Sequence, residues 1–455
     1  LTIIPSPFRG LRYCRGFLFS AFLFIQSQAG FAQSESIGEG EVLTISQALS
    51  IAIRNNPEII AARYRQDATA EATTQAWARA LPSVTAQGSI ARQDNDQIVN
   101  SDLFGVGKNE KRNFSLDPIS ASITAEQTLF DGFETINSIR QARAQRSAGR
   151  FQVTAVEQNI LRRTSAAFIA ILRDEKIEKA IRTSLDAHME ELKRAKVRYS
   201  RGEGTLTDIR QAEARLAGVR ARRAKAQSEV HLGRTQLKEL LGDIDVTLDK
   251  TPFKPLVPST LDSALNMARA RAPMIEQARA TLRSSDYRKK AQRGAFAPQV
   301  NAFVSYDYRD EPTPFTVRDE KFTYGLRVDV PLFQGGSLLS KRREARAIFN
   351  SDRARLKSIE RQLHARVTTH WRRMKEAEVN IIAAKRQIDA ATFVVKGAQA
   401  EVRQGSRPVI DILDAEKERA EAEILLVRSE SDLVISMIDL LAEIGVLAPT
   451  RFSES

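Results

Sequence analysis

Asp411 and Asp414 stand three residues apart in the stretch Gly405-Ser406-Arg407-Pro408-Val409-Ile410-Asp411-Ile412-Leu413-Asp414. At that spacing two carboxylates share one face of a helix. Taken singly, acids in a first helical turn complement the helix dipole and need do nothing more. Repeated around a symmetry axis, they would form stacked rings of negative charge that attract cations and let multivalent cations plug a pore. Little else in the chain suggests chemistry. His188, His231, His364 and His370 are scattered, without metal-ligand spacing. Gly105-Val106-Gly107-Lys108 lies between two strand-like segments, not between strand and helix, and lacks the other positions of a phosphate loop. The only cysteine is Cys14, so thiol chemistry has no place in the body of the chain. Nothing suits nucleophilic or acid–base catalysis. The sequence reads as a non-enzyme without cofactor or metal.

The elements that must position the two aspartates are organised as a repeat. Gly202-Glu203-Gly204-Thr205-Leu206-Thr207-Asp208 is a near-copy of the opening stretch at an offset of 203, with Gln211 in place of the second acid. The same offset relates Leu129-Phe130-Asp131-Gly132 to Leu332-Phe333-Gln334-Gly335. An offset of 216 relates the Ala48–Ile59 segment to Ala264–Ile275, including Pro57 and Pro273. The difference of 13 residues falls between Pro82 and Phe130, where the first copy has a longer loop. The predicted organisation is a first repeat over 33–242, a linker over 243–260, a second repeat over 261–445 and a tail over 446–455.

Each repeat reads alike. A short helix (44–55; 261–271) ends before a proline that opens a second helix, running to about 80 or 293. Two alternating segments follow. Val300, Ala302, Val304, Tyr306 and Tyr308 alternate with polar positions, as do Phe322, Tyr324, Leu326, Val328 and Val330. Val84 to Ile90 and Ile119 to Ala125 do the same in the first copy. Period two marks strands with one apolar face. Strands of about ten residues suit tilted crossing of an outer membrane. The loops over 94–113 and 310–318 would then be extracellular. Helices over 134–200 and 337–403 follow, each about 100 Å long at 1.5 Å per residue. Ile381, Ala384, Ile388, Ala391, Val395, Ala398 and Val402 form a heptad seam on the second. Return helices over 206–241 and 409–444 close two hairpins, whose tips are the two related stretches.

Composition agrees with long, solvent-bathed helices: 42% of the 455 residues are hydrophobic and 27% charged. The formal charge of +13 is spread among interleaved acids, with no basic block to bind nucleic acid. Arg9, Arg12 and Arg15, the apolar run from Phe17 to Ile25, and Ala29-Gly30-Phe31-Ala32 read as a secretory signal peptide over 1–32. An exported chain with four such strands cannot close a barrel alone, and open sheet edges are not tolerated in lipid. Several chains must therefore combine.

The duplicated order of helices, strand pair and long hairpin resembles the TolC family of outer-membrane efflux and type I secretion channels. Pro57 and Pro273, the two Leu-Phe-x-Gly motifs and the two tips carry the resemblance, over about 44–445. It implies a mainly α homotrimer, with tandem coiled-coil hairpins forming an α-barrel and four strands per chain joining a 12-stranded transmembrane β-barrel in outer-membrane lipid. It implies a passive duct that docks on a periplasmic adaptor and an inner-membrane pump of the RND or ABC type. On the same basis Asp411 and Asp414 would be the selectivity filter. Arg407 and Asp208 would form the periplasmic gate. The family's gate tyrosine falls at Val402, while Tyr199 occupies the equivalent place in the first copy. Gly202, Gly204, Thr205, Gly405 and Ser406 would form the adaptor-docking tips. The alternative is a periplasmic coiled-coil adaptor, although adaptors carry one hairpin rather than two.

Overall fold

A two-residue strand, β1 (Val42–Leu43), leads into α1 (Ile45–Asn55) and α2 (Pro57–Ala78). The computed structural model describes residues 42–452 except 101–108, 244–246, 314, 405 and 409, so the expected signal peptide and Gly405 lie outside the described residues. The start of α1 is set by a reciprocal cap. Gln47 N donates to Thr44 Oγ1 (3.3 Å), and Thr44 N donates to Gln47 Oε1 (2.9 Å). Asn56 both separates and joins the helices. Its Oδ1 accepts from Glu58 N (2.9 Å), and its buried Nδ2 donates to Leu240 O (3.1 Å). Pro57 then occupies the first turn, where its missing N–H costs nothing.

The first half continues through β2 (Ser83–Ile90), β3 (Gln93–Asn100), β4 (Asn109–Leu116) and β5 (Ile119–Phe130), then α3 (Glu134–Ser200) and α4 (Leu206–Leu241). The second half runs β6 (Thr247–Leu248), α5 (Leu261–Arg271), α6 (Pro273–Gly294), β7 (Gln299–Thr313), β8 (Thr316–Asp329), α7 (Ser337–Arg403) and α8 (Ile410–Ile444), closing in a 3-10 turn at Pro449–Phe452. β1 pairs in parallel with β6, tying the segment before α1 to the segment after α4. Lys250 Nζ, 2.9 Å from Glu175, holds the linker against α3.

β2, β5, β7 and β8 form one antiparallel sheet in the order β2-β5-β7-β8. Its register aligns the apolar residues of every strand. Val84 faces Ala125, Ala125 faces Val304, and Val304 faces Tyr324; Ala86, Ile123, Tyr306 and Phe322 form the next row. Because the side-chain period is two, the alternate rows (Thr85, Thr124, Ser305, Thr323) are polar on the other face. Among the described residues no second layer covers the apolar face. Val84, Ile123, Phe322, Tyr324 and Leu326 are 54–75% exposed. A continuous apolar face of this kind is unfavourable in water and suited to lipid.

Two expectations for the loops are corrected. Residues 94–113 are not simply a loop. β3 and β4 pair as a separate hairpin, with Asp94 opposite Ser115 (2.6 Å between side chains) and Lys111 beside Asp96 (2.9 Å). Its residues are mostly polar, and β3 places Ile98 and Val99 side by side, so no apolar alternation announces it. β7 and β8 likewise extend into 310–318, pairing Asp310 with Arg318 and Thr313 with Thr316.

The junction of β5 and α3 needs glycine. Gly132 has φ +66° and its backbone approaches α6 closely; a Cβ there would sit 2.4 Å from Gly294 O and 2.5 Å from Ala297 Cβ. At Gly335, the equivalent position in the second repeat, a Cβ would meet nothing within 4 Å.

The long helices are held by narrow apolar seams. Ala384, Ala391, Val395, Ala398 and Val402 of the expected heptad seam are buried. Ile424 and Val427 of α8 pack onto the first hairpin, against Ile177, Ile181, Leu185, Leu216 and Val219. A second cluster (Leu265, Ile275, Leu363, Val367, Leu440, Ile444) locks α5 and α6 against α7 and α8. Each fully buried Leu, Ile or Val contributes roughly 1.5–3 kcal/mol. Among the described residues no helix is long and apolar enough to cross a membrane.

Candidate functional site at the hairpin tips

The first tip turns between Ser200 and Thr205. Gly202 takes φ +75°, which lets Gly202 N reach Tyr199 O (3.0 Å) and Glu203 N reach Arg198 O (2.9 Å). Thr205 then caps α4. Its Oγ1 accepts from Asp208 N (3.2 Å), while Asp208 Oδ2 accepts from Thr205 N (2.9 Å). The first-tip aspartate is thus bound up in a capping box. At the second tip Ser406 N and Oγ both donate to Glu401 O (3.1 and 2.9 Å), ending α7. Arg407 Nε lies 2.9 Å from Glu401 Oε2 and 3.7 Å from Asp411 Oδ2.

Arg407 and Asp208 therefore do not meet within one chain. Each is satisfied locally, Arg407 by Glu401 and Asp411 and Asp208 by Thr205. Tyr199 is half-exposed on α3, whereas Val402 is buried with Ala398 and Ile412. Gly202, Thr205 and Ser406 are exposed and Gly204 is half-buried, so the turns present backbone and small polar groups.

The contact that joins the hairpins near their tips lies elsewhere. Arg215 Nη2 of α4 is 2.8 Å from Asp414 Oδ1 of α8, and Arg222 Nη1 is 3.7 Å from Glu421 Oε1. Both members of the second pair lie seven residues beyond those of the first, so the two bridges are rungs on facing helix stripes. Sequence reading passed over Arg215 and Arg222. The visible signal was that basic residues at 215 and 222 match acids at 414 and 421 at one constant offset. Asp414 is thus engaged in an inter-hairpin bridge. Asp411, 40% exposed on its side chain, keeps a weaker contact with Arg407. Among the described residues no cluster of His, Cys, Asp and Glu could hold a metal.

Comparison with known proteins agrees with this architecture. The family model described as outer membrane efflux protein matches residues 48–243 and again 264–446. The chain is 26% identical over 327 residues to the outer membrane efflux protein BepC of Brucella suis, covering 72% of each. It is 23% identical over 446 residues to the alkaline protease secretion protein AprF of Pseudomonas aeruginosa, covering 96% of this chain and 89% of that one. Its fold matches the crystal structure of CusC with TM-score 0.77 at 16% identity, over 88% of this chain and 91% of that chain. The adaptor alternative is overturned, because the family match takes in both halves of the chain and the relatives are outer-membrane proteins. With its sheet apolar on one face and its hairpins joined near their tips, the chain belongs to the outer membrane efflux protein family and is an outer-membrane export channel.

Proposed function

We propose that three copies of the chain close one passive duct, a 12-stranded barrel in the outer membrane continued by an α-helical tube in the periplasm. The observation that carries this reading is the register of the four-stranded sheet. It collects the apolar residues on one face and leaves β2 and β8 as edges for neighbouring chains. The tips formed by Gly202, Gly204, Thr205, Gly405 and Ser406 dock on a periplasmic adaptor, which couples the duct to an inner-membrane pump of the RND or ABC type. Exposed turns rich in small residues support that role, since they let a partner helix approach closely.

Asp411 and Asp414 line the narrow end as a cation-selective filter. Arg407, Asp208 and Tyr199 act as the gate between neighbouring subunits, where Arg407 and Asp208 exchange part of their local bonding for a contact across the interface. The position of Asp411 and Asp414 in the first turns of α8 supports the filter. Asp411→Ala with Asp414→Ala is expected to abolish block by divalent or trivalent cations in planar bilayers. Unchanged block in the double variant would remove both residues from the filter.

A further inference from the structure

Between α2 and α3, near the ends that join the sheet, lies an open cleft of about 520 Å³ lined by Thr73, Trp77, Arg143, Arg146, Ser147 and Arg150 among others. Three guanidiniums converge there, and from 135 to 156 α3 carries four arginines (140, 143, 146, 150) and no carboxylate. Among the described residues none of the three in the cleft has an acidic partner. Arg143 lies over the Trp77 ring, 5.4 Å from its centroid, which fixes one side of the opening. Thr73 is 9% exposed, and its Oγ1 has no hydrogen-bond partner. A buried hydroxyl left without a partner is costly, and one lining a cationic cleft has the chemistry to donate to an anion.

The second repeat supplies an internal control. At the equivalent place Asp286 stands for Ala70, Lys289 for Thr73, Lys290 for Thr74 and Phe349 for Arg146. There Lys289 and Lys290 are neutralised by Asp286 (2.7 and 2.8 Å), and Lys289 Nζ sits 3.7 Å from the centre of the Phe349 ring. The first repeat has no acid at that place and carries Arg146 where the second has Phe349, so its guanidiniums are left open to an anion.

We propose that this cleft binds the phosphate of an anionic lipid headgroup. Arg143, Arg146 and Arg150 would supply charge-assisted hydrogen bonds, and the Thr73 and Ser147 hydroxyls would complete the shell. The headgroup source, rather than a free anion, follows from what lies between cleft and sheet. Leu129, Phe130 and Phe133 are 40–59% exposed there and offer an apolar path for acyl chains. α2 ends only a few residues before β2, and Arg143 is nine residues, about 14 Å, from the start of α3. The proposal rests on the membrane placement of the sheet, which outer-membrane fractionation and heat-modifiable migration check separately.

The test uses the full-length trimer in neutral detergent with Trp371→Phe, leaving Trp77 as the sole tryptophan. Dihexanoylphosphatidylglycerol, inorganic phosphate and dihexanoylphosphatidylcholine are titrated against Trp77 emission. Saturable binding of the glycerol lipid is expected, weakened at least tenfold by Arg143→Gln/Arg146→Gln/Arg150→Gln and by Ala70→Asp, which restores the acid of the second repeat. Both variants should keep the trimer band. Equal response to inorganic phosphate would keep the anion site and overturn the lipid source. A response that survives both variants, or that phosphatidylcholine matches, would overturn the site itself.

Discussion

The paired bridges Arg215–Asp414 and Arg222–Glu421 predict how strongly the hairpins are held together near their tips. Their side chains are 43–53% exposed, so each bridge contributes only about 0.2–1 kcal/mol in dilute salt. The 3.7 Å rung belongs near the lower bound. Two rungs in each of three subunits then total roughly 1–6 kcal/mol if the tips open together. Since about 1.4 kcal/mol is a factor of ten, Arg215→Glu is expected to raise open probability several-fold at 0.1 M KCl. Salt gives a second reading. The Debye length falls from about 10 Å at 0.1 M to about 3 Å at 1 M, so the difference between wild type and variant should shrink in concentrated KCl. The charge swap Arg222→Glu/Glu421→Arg leaves Asp411 and Asp414 untouched and should return open probability toward wild type, whereas Arg222→Glu alone should not. Single-channel recording in planar bilayers measures all three variants. Open probability indifferent to Arg215→Glu at low salt, or a swap no better than the single change, would refute the reasoning.

Two further outcomes follow from the packing. Gly132→Ala combines a left-handed backbone with a 2.4 Å approach to Gly294 O and should cost roughly 2–6 kcal/mol; Gly335→Ala bears the backbone strain alone within the chain. Urea melts of the two variants should separate accordingly, and equal losses would contradict the close approach. His370 provides a pH-sensitive contact. Burial lowers its pKa; Asp439, 3.5 Å away, and Glu443 draw it upward, Arg373 and Arg162 press it down, and the net direction is below the ordinary 6.5. A base with a depressed folded pKa stabilises the fold above its unfolded value and withdraws that contribution as pH falls below it. Thermal stability should therefore drop more between pH 7.5 and 5.5 in the wild type than in His370→Gln, and identical slopes would exclude His370.

What could be read from the chain depended on how local the signal was. Pro57, Pro273, Gly202 and Gly445 punctuate the helices, and α3, α5 and α7 begin and end where the pattern placed them. The four sheet strands were legible because one face is apolar along their length. The β3–β4 hairpin was not, since Asp94, Asp96, Asn113 and Ser115 offer no period. β1 and β6 are too short to have one. At the tips the residue types were visible and their partners were not. Thr205-x-x-Asp208 already has the form of a capping box, which explains why Asp208 is engaged by its own helix. The Arg215–Asp414 bridge spans two hairpins, and no local window contains both residues.

The unequal surroundings of Gly132 and Gly335 bear on how a tube is assembled. The first repeat's junction is already filled by α6 of its own chain, whereas the second repeat's junction faces open space, as a ring position waiting for the α2 end of the next copy would. A ring of three chains contains six quasi-equivalent repeats, yet half of its junctions form with folding. Assembly then scales with the third power of chain concentration rather than the sixth. It also avoids three associations, each costing about 4–15 kcal/mol in lost translational and rotational freedom. For a duct built from dilute chains arriving at a membrane, the duplication acts as a molecularity reducer.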